Sequence, residues 1–336
     1  MTVENKTFII AEAGSNHNRI YEQALSLIDV AKDSGASAVK FQTYSSDTLY
    51  AKNTTNIAGT KDVNGLIKNI QIPREWQKDL KTYCDNIGIE FMSTPFDEAA
   101  VKELVDIGVK RIKIAGFEAT DPRFVSMVSE TGLPVIMSAG IGSSIKTIDK
   151  MMNICYKNGV KDITILHCNN AYPTPQREIN LETITALKNV FPQTPVGLSD
   201  HTMSTMTPAM AVCLGASTIE KHYTLSKRLS GPDHSFALEP DELKEMIDNI
   251  KTAEESMGVK KEYSKSENEN KKAMRSVVAR REIKSGETLT TDNITTKRPM
   301  LEDSIPASEY YRMLGRIAAT DIGEDSLLKK GMLHEK

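Results

Sequence analysis

Hydrophobic and polar positions along the chain follow two alternating periods. Short runs dominated by β-branched and large apolar residues read as strands: FIIAEAG (8–14), AVKFQT (38–43), EFMSTP (90–95), RIKIAG (111–116), PVIMSAG (134–140), ITILHCN (163–169), VGLSD (196–200) and STIEKHYT (217–224). Between them lie segments with an apolar residue every third or fourth position, such as YEQALSLIDVAKDSGA, DEAAVKELVDIG and LETITALKNVF. Several end near a glycine placed to close a helix. Strand and helix in alternation predict parallel strands joined by crossover helices. Eight such units predict a (β/α)8 TIM barrel, which takes about 250 residues, and residues 1–255 are assigned to it. The alternative, an open doubly wound sheet, lacks a GxGxxG run after the first strand.

Beyond residue 255 the pattern changes. EESMGVKKEYSKSENENKK (254–272) is polar and charged, so 256–272 reads as a linker. Residues 273–336 then form a small β-rich module. Its two halves, RSVVARREIKSGETLTTDNI and GRIAATDIGEDSLLKKGML, each pair a β-branched run with a glycine-containing turn and read as related hairpin units. About 60 residues fold alone only marginally, so the module is expected to lean on a partner surface.

Composition narrows the function. The 39% hydrophobic content suffices for a globular core, and 42 basic against 45 acidic residues leave a net charge of −3 with no long basic run. Nothing there favours a nucleic acid or a membrane surface; a small-molecule partner is expected. Cys84, Cys155, Cys168 and Cys213 show no CxxC pairing and read as reduced core thiols. The opening MTVENKTFIIAEAG has too short an apolar stretch and too much charge for a signal peptide, so a cytoplasmic location is expected.

In such a barrel the C-terminal strand ends carry the chemistry. They gather Glu12, Lys40, Gln42, Ser93, Thr94, Lys113, Ser138, Asn169, Asn170, Ser199, Asp200, His201, Glu220 and His222 around one mouth. Buried lysines are rare unless paired or bound to an anion. Lys40 and Lys113, with the hydroxyls of Ser93, Thr94, Ser138 and Ser199, would cradle a phosphate or carboxylate; alternatively they pair with Glu12, Glu118 or Glu220. His201 and His222 end adjacent strands, and their imidazoles could share a divalent ion such as Mn²⁺ or Mg²⁺. Oxygen-rich surroundings with no cysteine nearby argue against structural zinc. The loop SGPDHSFALEP (230–240) could bring Asp233 or His234 over the mouth, and NNAYPTP (169–175) could set Asn170 and Tyr172 against a polar ligand.

At these residues the sequence resembles a known family. IAEAGSNHN, VKFQTY, STPFD, KIAGFE, MSAG, HCNNAYPTP, GLSDHT, IEKHYT and GPDHSFALEP together resemble the N-acetylneuraminate (sialic acid) synthases, a family that includes the legionaminate and pseudaminate synthases. The C-terminal module resembles their antifreeze-like (SAF) domain. The resemblance implies condensation of phosphoenolpyruvate with an N-acylated amino sugar of the mannosamine type, giving a nine-carbon 2-keto acid and phosphate. It implies a divalent metal on His201 and His222, Mn²⁺ first, with Mg²⁺ or Co²⁺ also possible. It places phosphoenolpyruvate against Lys40, Thr94, Lys113, Ser138 and Ser199, with Asn170 and Tyr172 close by, and gives Glu12 and Asp233 catalytic or sugar-contacting roles. It further implies a domain-swapped homodimer in which Arg298, in TTKRPM, reaches the N-acyl group of the partner's sugar.

This chain departs from the resemblance at KIAGFE, where sialic acid synthases often read KIGSGE, so Gly116 stands in place of a serine. FEATD (117–121) leans toward the pseudaminate branch, whereas HCNNAYPTP and GPDHSFALEP lean toward the sialate and legionaminate branches. Three other readings remain open: a synthase acting on a 6-deoxy-diacetamido hexose, a Schiff-base aldolase using Lys113 or Lys221, and a carbohydrate-binding protein with an inactive barrel.

Overall fold

The computed structural model describes residues 6–54, 57, 60–258 and 264–334. The chain divides into two compact units, Met1–Met257 and Gly258–Lys336.

In the first unit the eight expected strands all form: β1 (Phe8–Gly14), β2 (Ala38–Thr43), β3 (Glu90–Pro95), β4 (Ile112–Ile114), β5 (Val135–Ala139), β6 (Ile163–Cys168), β7 (Val196–Asp200) and β8 (Thr218–His222). They pair in parallel in the order β3-β2-β1-β8-β7-β6-β5-β4, with β3 and β4 lying side by side to bring the sheet nearly to closure. Helices follow as α1 (Tyr21–Ser34), α2 (Val63–Ile70), α3 (Trp76–Ile87), α4 (Glu98–Asp106), α5 (Pro122–Ser129), α6 (Ile145–Lys157), α7 (Glu182–Val190), α8 (Thr207–Cys213) and α9 (Pro240–Ser256). Local signals set their ends. Asp97 and Asp121 cap α4 and α5 by accepting backbone N–H bonds, and Pro122 sits where α5 has no N–H to satisfy. The apolar stripes of the helices pack on the outer faces of the strands as one core that includes Leu27, Ile28, Leu80, Leu104, Val125, Ile184 and Ile247.

Inside the barrel a second, smaller cluster of Ile10, Ala38, Met92, Ile136 and Leu166 forms an apolar floor. Strand side chains alternate faces, so the inward residues of the next layer lie two positions further along each strand. Those residues are polar, and they begin the site.

In the second unit β9 (Ser276–Ala279) and β10 (Ile294–Lys297) pair antiparallel. The two expected hairpin-like halves meet where Ile283 and Ile322 exchange reciprocal backbone bonds of 2.8 Å. Around them Val277, Leu289, Ile294, Ile305, Met313 and Leu328 make an independent core. Of the expected linker 256–272, Ser256 closes α9, residues 259–263 lie outside the described residues, and Asn268–Ala273 is a 3-10 turn. Cys84, Cys155 and Cys168 are buried free thiols, but Cys213 is exposed, a departure from the expected set of core thiols. It ends the short helix α8, whose opposite face takes the burial. Among the described residues no helix is long and apolar enough to cross a membrane.

Candidate active site

Counting two residues up from the floor gives a ring contributed by every strand: Glu12, Lys40, Thr94, Lys113, Ser138, Cys168, Ser199 and Glu220, all lining one deep pocket. Lys40 Nζ lies 2.8 Å from Glu12 Oε2 and donates to Thr94 Oγ1 at 2.9 Å. Lys113 Nζ donates to Ser138 Oγ at 2.7 Å and to the Ile114 carbonyl at 3.1 Å. Glu220 stands 3.7 Å from both ammonium groups and accepts from Ser199 Oγ at 3.2 Å. The lysines are thus carboxylate-paired, and Thr94, Ser138 and Ser199 line the pocket beside them, whereas Ser93 turns to the other face of β3, donating to the Phe41 carbonyl at 3.1 Å.

Burial decides the charge states. Burial raises the Glu12 carboxyl, Lys40 lowers it in part, and the nearby charge of Glu220 raises it again, to about 7. Burial also pushes Glu220 upward, but Lys113 and Lys40 outweigh it and hold this carboxyl down at about 2. Burial depresses Lys113, against the attraction of Glu220; burial opposes the charge of Lys40 too, but Glu12 and Glu220 together outweigh it and carry Lys40 above its usual value. Glu12 and Glu220 thus compete for two cations, and Glu12 is the one poised to exchange a proton near neutrality.

Another two positions up lie Gln42, Ala115, Asn170, His201 and His222, also on this pocket. Gln42 Nε2 donates to Glu12 Oε1 at 2.7 Å. The two imidazoles have ring centroids 5.4 Å apart, and Tyr172 lies 4.1 Å from the His201 ring. Burial, followed by the second imidazole, lowers His201 to about 4; burial, followed by Lys40, lowers His222 to about 3. Both rings are neutral at ordinary pH. His201 Nδ1 bonds the Asn169 carbonyl at 2.6 Å, which leaves Nε2 with its lone pair, and His222 Nδ1 is buried without a partner. Two neutral imidazole donors suit a divalent ion. Among the described residues no group of three or more His, Cys, Asp or Glu side chains is placed to hold one. Cys168 lies in this same pocket, contrary to the expectation of no cysteine nearby. Burial, only partly offset by Lys113, raises its thiol to about 11.

Above the ring a larger chamber of about 550 Å³ shares Gln42, Ala115, Tyr172 and His222 with the deep pocket. Asp233 lines it, taking a hydrogen bond from Ser15 Oγ at 3.1 Å. Gly14 makes that approach feasible: its φ is 52°, and a Cβ there would lie 2.9 Å from Asp233 Oδ2 and 3.4 Å from the His222 ring. His234, the other residue considered in that loop, turns away to bond Thr224 at 2.6 Å.

The structure therefore gathers Glu12, Lys40, Thr94, Lys113, Ser138, Asn170, Tyr172, Ser199, His201 and His222 around the deep pocket and Asp233 on the chamber above it. Arg298 belongs to the second unit, exposed directly after β10. Lys221 points to the opposite face of β8, paired with Asp200 at 2.6 Å, and does not line the pocket. Sequence reasoning missed the chamber's apolar wall of Tyr44, Leu49, Ile67, Ile70, Phe96 and Phe117. Much of it comes from the long β2–α3 connection, where α2 sits in a stretch too polar overall to signal a lining.

The chain belongs to the NeuB family, which matches residues 27–262, and a SAF domain matches residues 274–334. It is 38% identical to the N,N'-diacetyllegionaminic acid synthase of Campylobacter jejuni, over 97% of this chain and 99% of that one. It is 34% identical to the pseudaminic acid synthase of the same species, over 98% and 97%. Among solved structures, the N-acetylneuraminic acid synthetase of Leptospira borgpetersenii, in complex with citrate, superposes with a TM-score of 0.72 at 34% identity, covering 79% of this chain and 90% of that one.

Proposed function

We propose that the protein condenses phosphoenolpyruvate with the open-chain form of an N-acylated mannosamine-type aldose, forming a nine-carbon 2-keto sugar acid and releasing phosphate. The observation that carries this reading is a pair of cavities sharing Gln42, Ala115, Tyr172 and His222, a cationic hydroxyl-lined ring below and a sugar-sized chamber above, with two neutral imidazoles on the lower one.

Lys40 and Lys113, with Thr94, Ser138 and Ser199, hold the carboxylate and phosphate of phosphoenolpyruvate and fix its vinyl carbon toward the chamber. C3 of phosphoenolpyruvate forms the new bond to the aldehyde carbon, whose oxygen takes up a proton. Water adds at C2, and the C2–O bond to phosphate then breaks, with phosphate as leaving group. Glu12 is the group that accepts the water's proton, because it is buried beside the ring and exchanges a proton near neutral pH. A divalent ion held by His201 and His222, Mn²⁺ before Mg²⁺ or Co²⁺, would polarise the aldehyde oxygen and offset the charge that develops there. Asp233 and Tyr172 face the sugar. In a homodimer, Arg298 would supply the contact to the partner sugar's N-acyl group.

The apolar wall supports a second reading of the sugar. Leu49, Ile67, Ile70, Phe96 and Phe117 suit a 6-deoxy-diacetamido hexose, whose methyl group needs no hydrogen-bond partner.

The test is phosphate release from phosphoenolpyruvate by chelator-stripped protein, with and without Mn²⁺, offering N-acetylmannosamine and the two 6-deoxy-diacetamido hexoses in parallel. Release that requires metal and one particular sugar establishes the reaction and its branch. Absence of release with every sugar, from folded and Mn²⁺-loaded protein, rejects it. A light-scattering mass of a monomer would reject the dimer.

A further inference from the structure

The loop after β1 holds two consecutive residues in the left-handed region, Asn18 at φ 50° and Arg19 at φ 56°. Asparagine enters that region more readily than most residues, but for arginine it is a strained conformation that glycine would adopt freely. The surroundings impose it. The Arg19 backbone N–H donates to His17 Nδ1 at 2.9 Å, and the Ile20 N–H donates to the His17 carbonyl at 2.9 Å. The backbone at position 19 thus suits glycine, and what arginine adds is its side chain.

That side chain reaches α2. Arg19 Nη1 donates to the Lys68 carbonyl at 2.8 Å, in the last turn of the helix, where carbonyls lack partners within the helix and a cation complements the negative end. α2 has eight residues and buries only Val63 and Ile67, and so short a helix does not hold its place unaided. A second tie runs from the Ser46 N–H to Gln71 Oε1 at 2.8 Å. Lys68 sits between Ile67 and Ile70, both of which line the upper chamber, whereas Arg19 lines neither cavity. The same loop also grips another part of the chamber wall through the bond from Ser15 to Asp233.

We propose that Arg19 is a positioning residue, a latch whose guanidinium holds α2 so that Ile67 and Ile70 close on the sugar in the chamber. The inference rests on the reading of the chamber as the sugar site. It makes sugar affinity depend on a side chain that does not touch the sugar, while phosphoenolpyruvate in the ring below is indifferent to it.

The experiment compares Arg19→Gly and Arg19→Ala with the wild-type full-length protein. It reads KM for phosphoenolpyruvate and for whichever of N-acetylmannosamine and the two 6-deoxy-diacetamido hexoses is turned over, the thermal midpoint, and amide hydrogen exchange across residues 63–71. Both variants are expected to raise the sugar KM roughly 3- to 10-fold, the factor of one partly exposed hydrogen bond, with kcat and the KM for phosphoenolpyruvate unchanged. Exchange across 63–71 should quicken in both. Stability should separate them, because glycine relieves the left-handed backbone and alanine does not, so Arg19→Ala melts below Arg19→Gly. A sugar KM that stays at the wild-type value in both, or that rises only in the less stable Arg19→Ala, overturns the latch. Unaltered exchange across 63–71 overturns it as well. A wild-type protein that turns over none of the three sugars rejects the synthase reading instead, and exchange alone then decides whether Arg19 holds α2.

Discussion

Lys40 and Glu12 meet at 2.8 Å inside the barrel with side chains only 3% and 1% exposed, and Glu220 approaches the same ammonium at 3.7 Å. Removing one partner of such a pair strands the other in a poorly solvated site. Lys40→Met leaves Glu12 and Glu220 with Lys113 as their one nearby ring cation. It is expected to cost roughly 3–5 kcal/mol of unfolding free energy, while Lys40→Met with Glu12→Gln recovers part of that loss. Urea unfolding decides it: a Lys40→Met midpoint equal to wild type would mean the pair is not buried as described.

The second buried pair, Lys221 with Asp200, makes a contrasting prediction. Lys221 Nζ also donates to the Thr202 carbonyl, while Asp200 accepts the Thr202 N–H at 2.9 Å, so the pair ties the turn after β7 to β8 from outside the ring. Lys221→Ala is expected to lose stability on the same scale as Lys40→Met yet keep phosphoenolpyruvate binding. Borohydride added during incubation with substrate should leave the intact mass of the protein unchanged. A reduced adduct on Lys221 or Lys113 would revive the Schiff-base aldolase reading.

How much of this was legible beforehand follows from periodicity. Each strand alternates, and polar residues occupy inward positions near the ends of most strands in segments otherwise rich in Ile, Val and Leu, so Glu12, Lys40, Lys113 and His222 stand out from the pattern alone. Glu220 was visible as a strand-end carboxylate, but its place at 3.7 Å from both lysines depends on barrel closure across strands far apart in sequence. Cys168 reads as an ordinary core thiol because a buried cysteine beside a floor and one beside a pocket share the same local pattern. The bond from the Ile141 N–H to Asn170 Oδ1 has no local signal, since it joins the loop after β5 to the loop after β6.

Metal binding can be separated from turnover. His201 is fixed as a donor at Nδ1 to Asn169, and His222 carries an unpartnered Nδ1. His201→Ala and His222→Ala are each expected to weaken Mn²⁺ binding at least about 10- to 100-fold, the range seen when even a supporting group is lost. Free Mn²⁺ counted by electron paramagnetic resonance during titration measures this without any assay of activity. Equal Mn²⁺ affinity in wild type and both variants would remove the imidazoles from the metal site.

His17 provides a pH-dependent signature in the loop after β1, outside the lining of either cavity. It is buried against Phe41 and Trp76, and its Nδ1 accepts the Arg19 backbone N–H at 2.9 Å, so the folded state requires the neutral ring. Burial, reinforced by Arg19, lowers it from 6.5 to about 4. Between those values the unfolded chain takes up the proton and the folded one does not, so this group makes stability fall as pH drops from 6.5 toward 4. The full contribution is roughly 3 kcal/mol. Carboxylates titrate over part of the same range, so the diagnostic quantity is the difference between wild type and His17→Gln, which keeps an acceptor but has no proton to gain. In urea unfolding at pH 7, 5.5 and 4 the wild type should lose stability relative to the variant as the pH falls. A difference that stays constant across the three would show that His17 is free to charge in the folded protein.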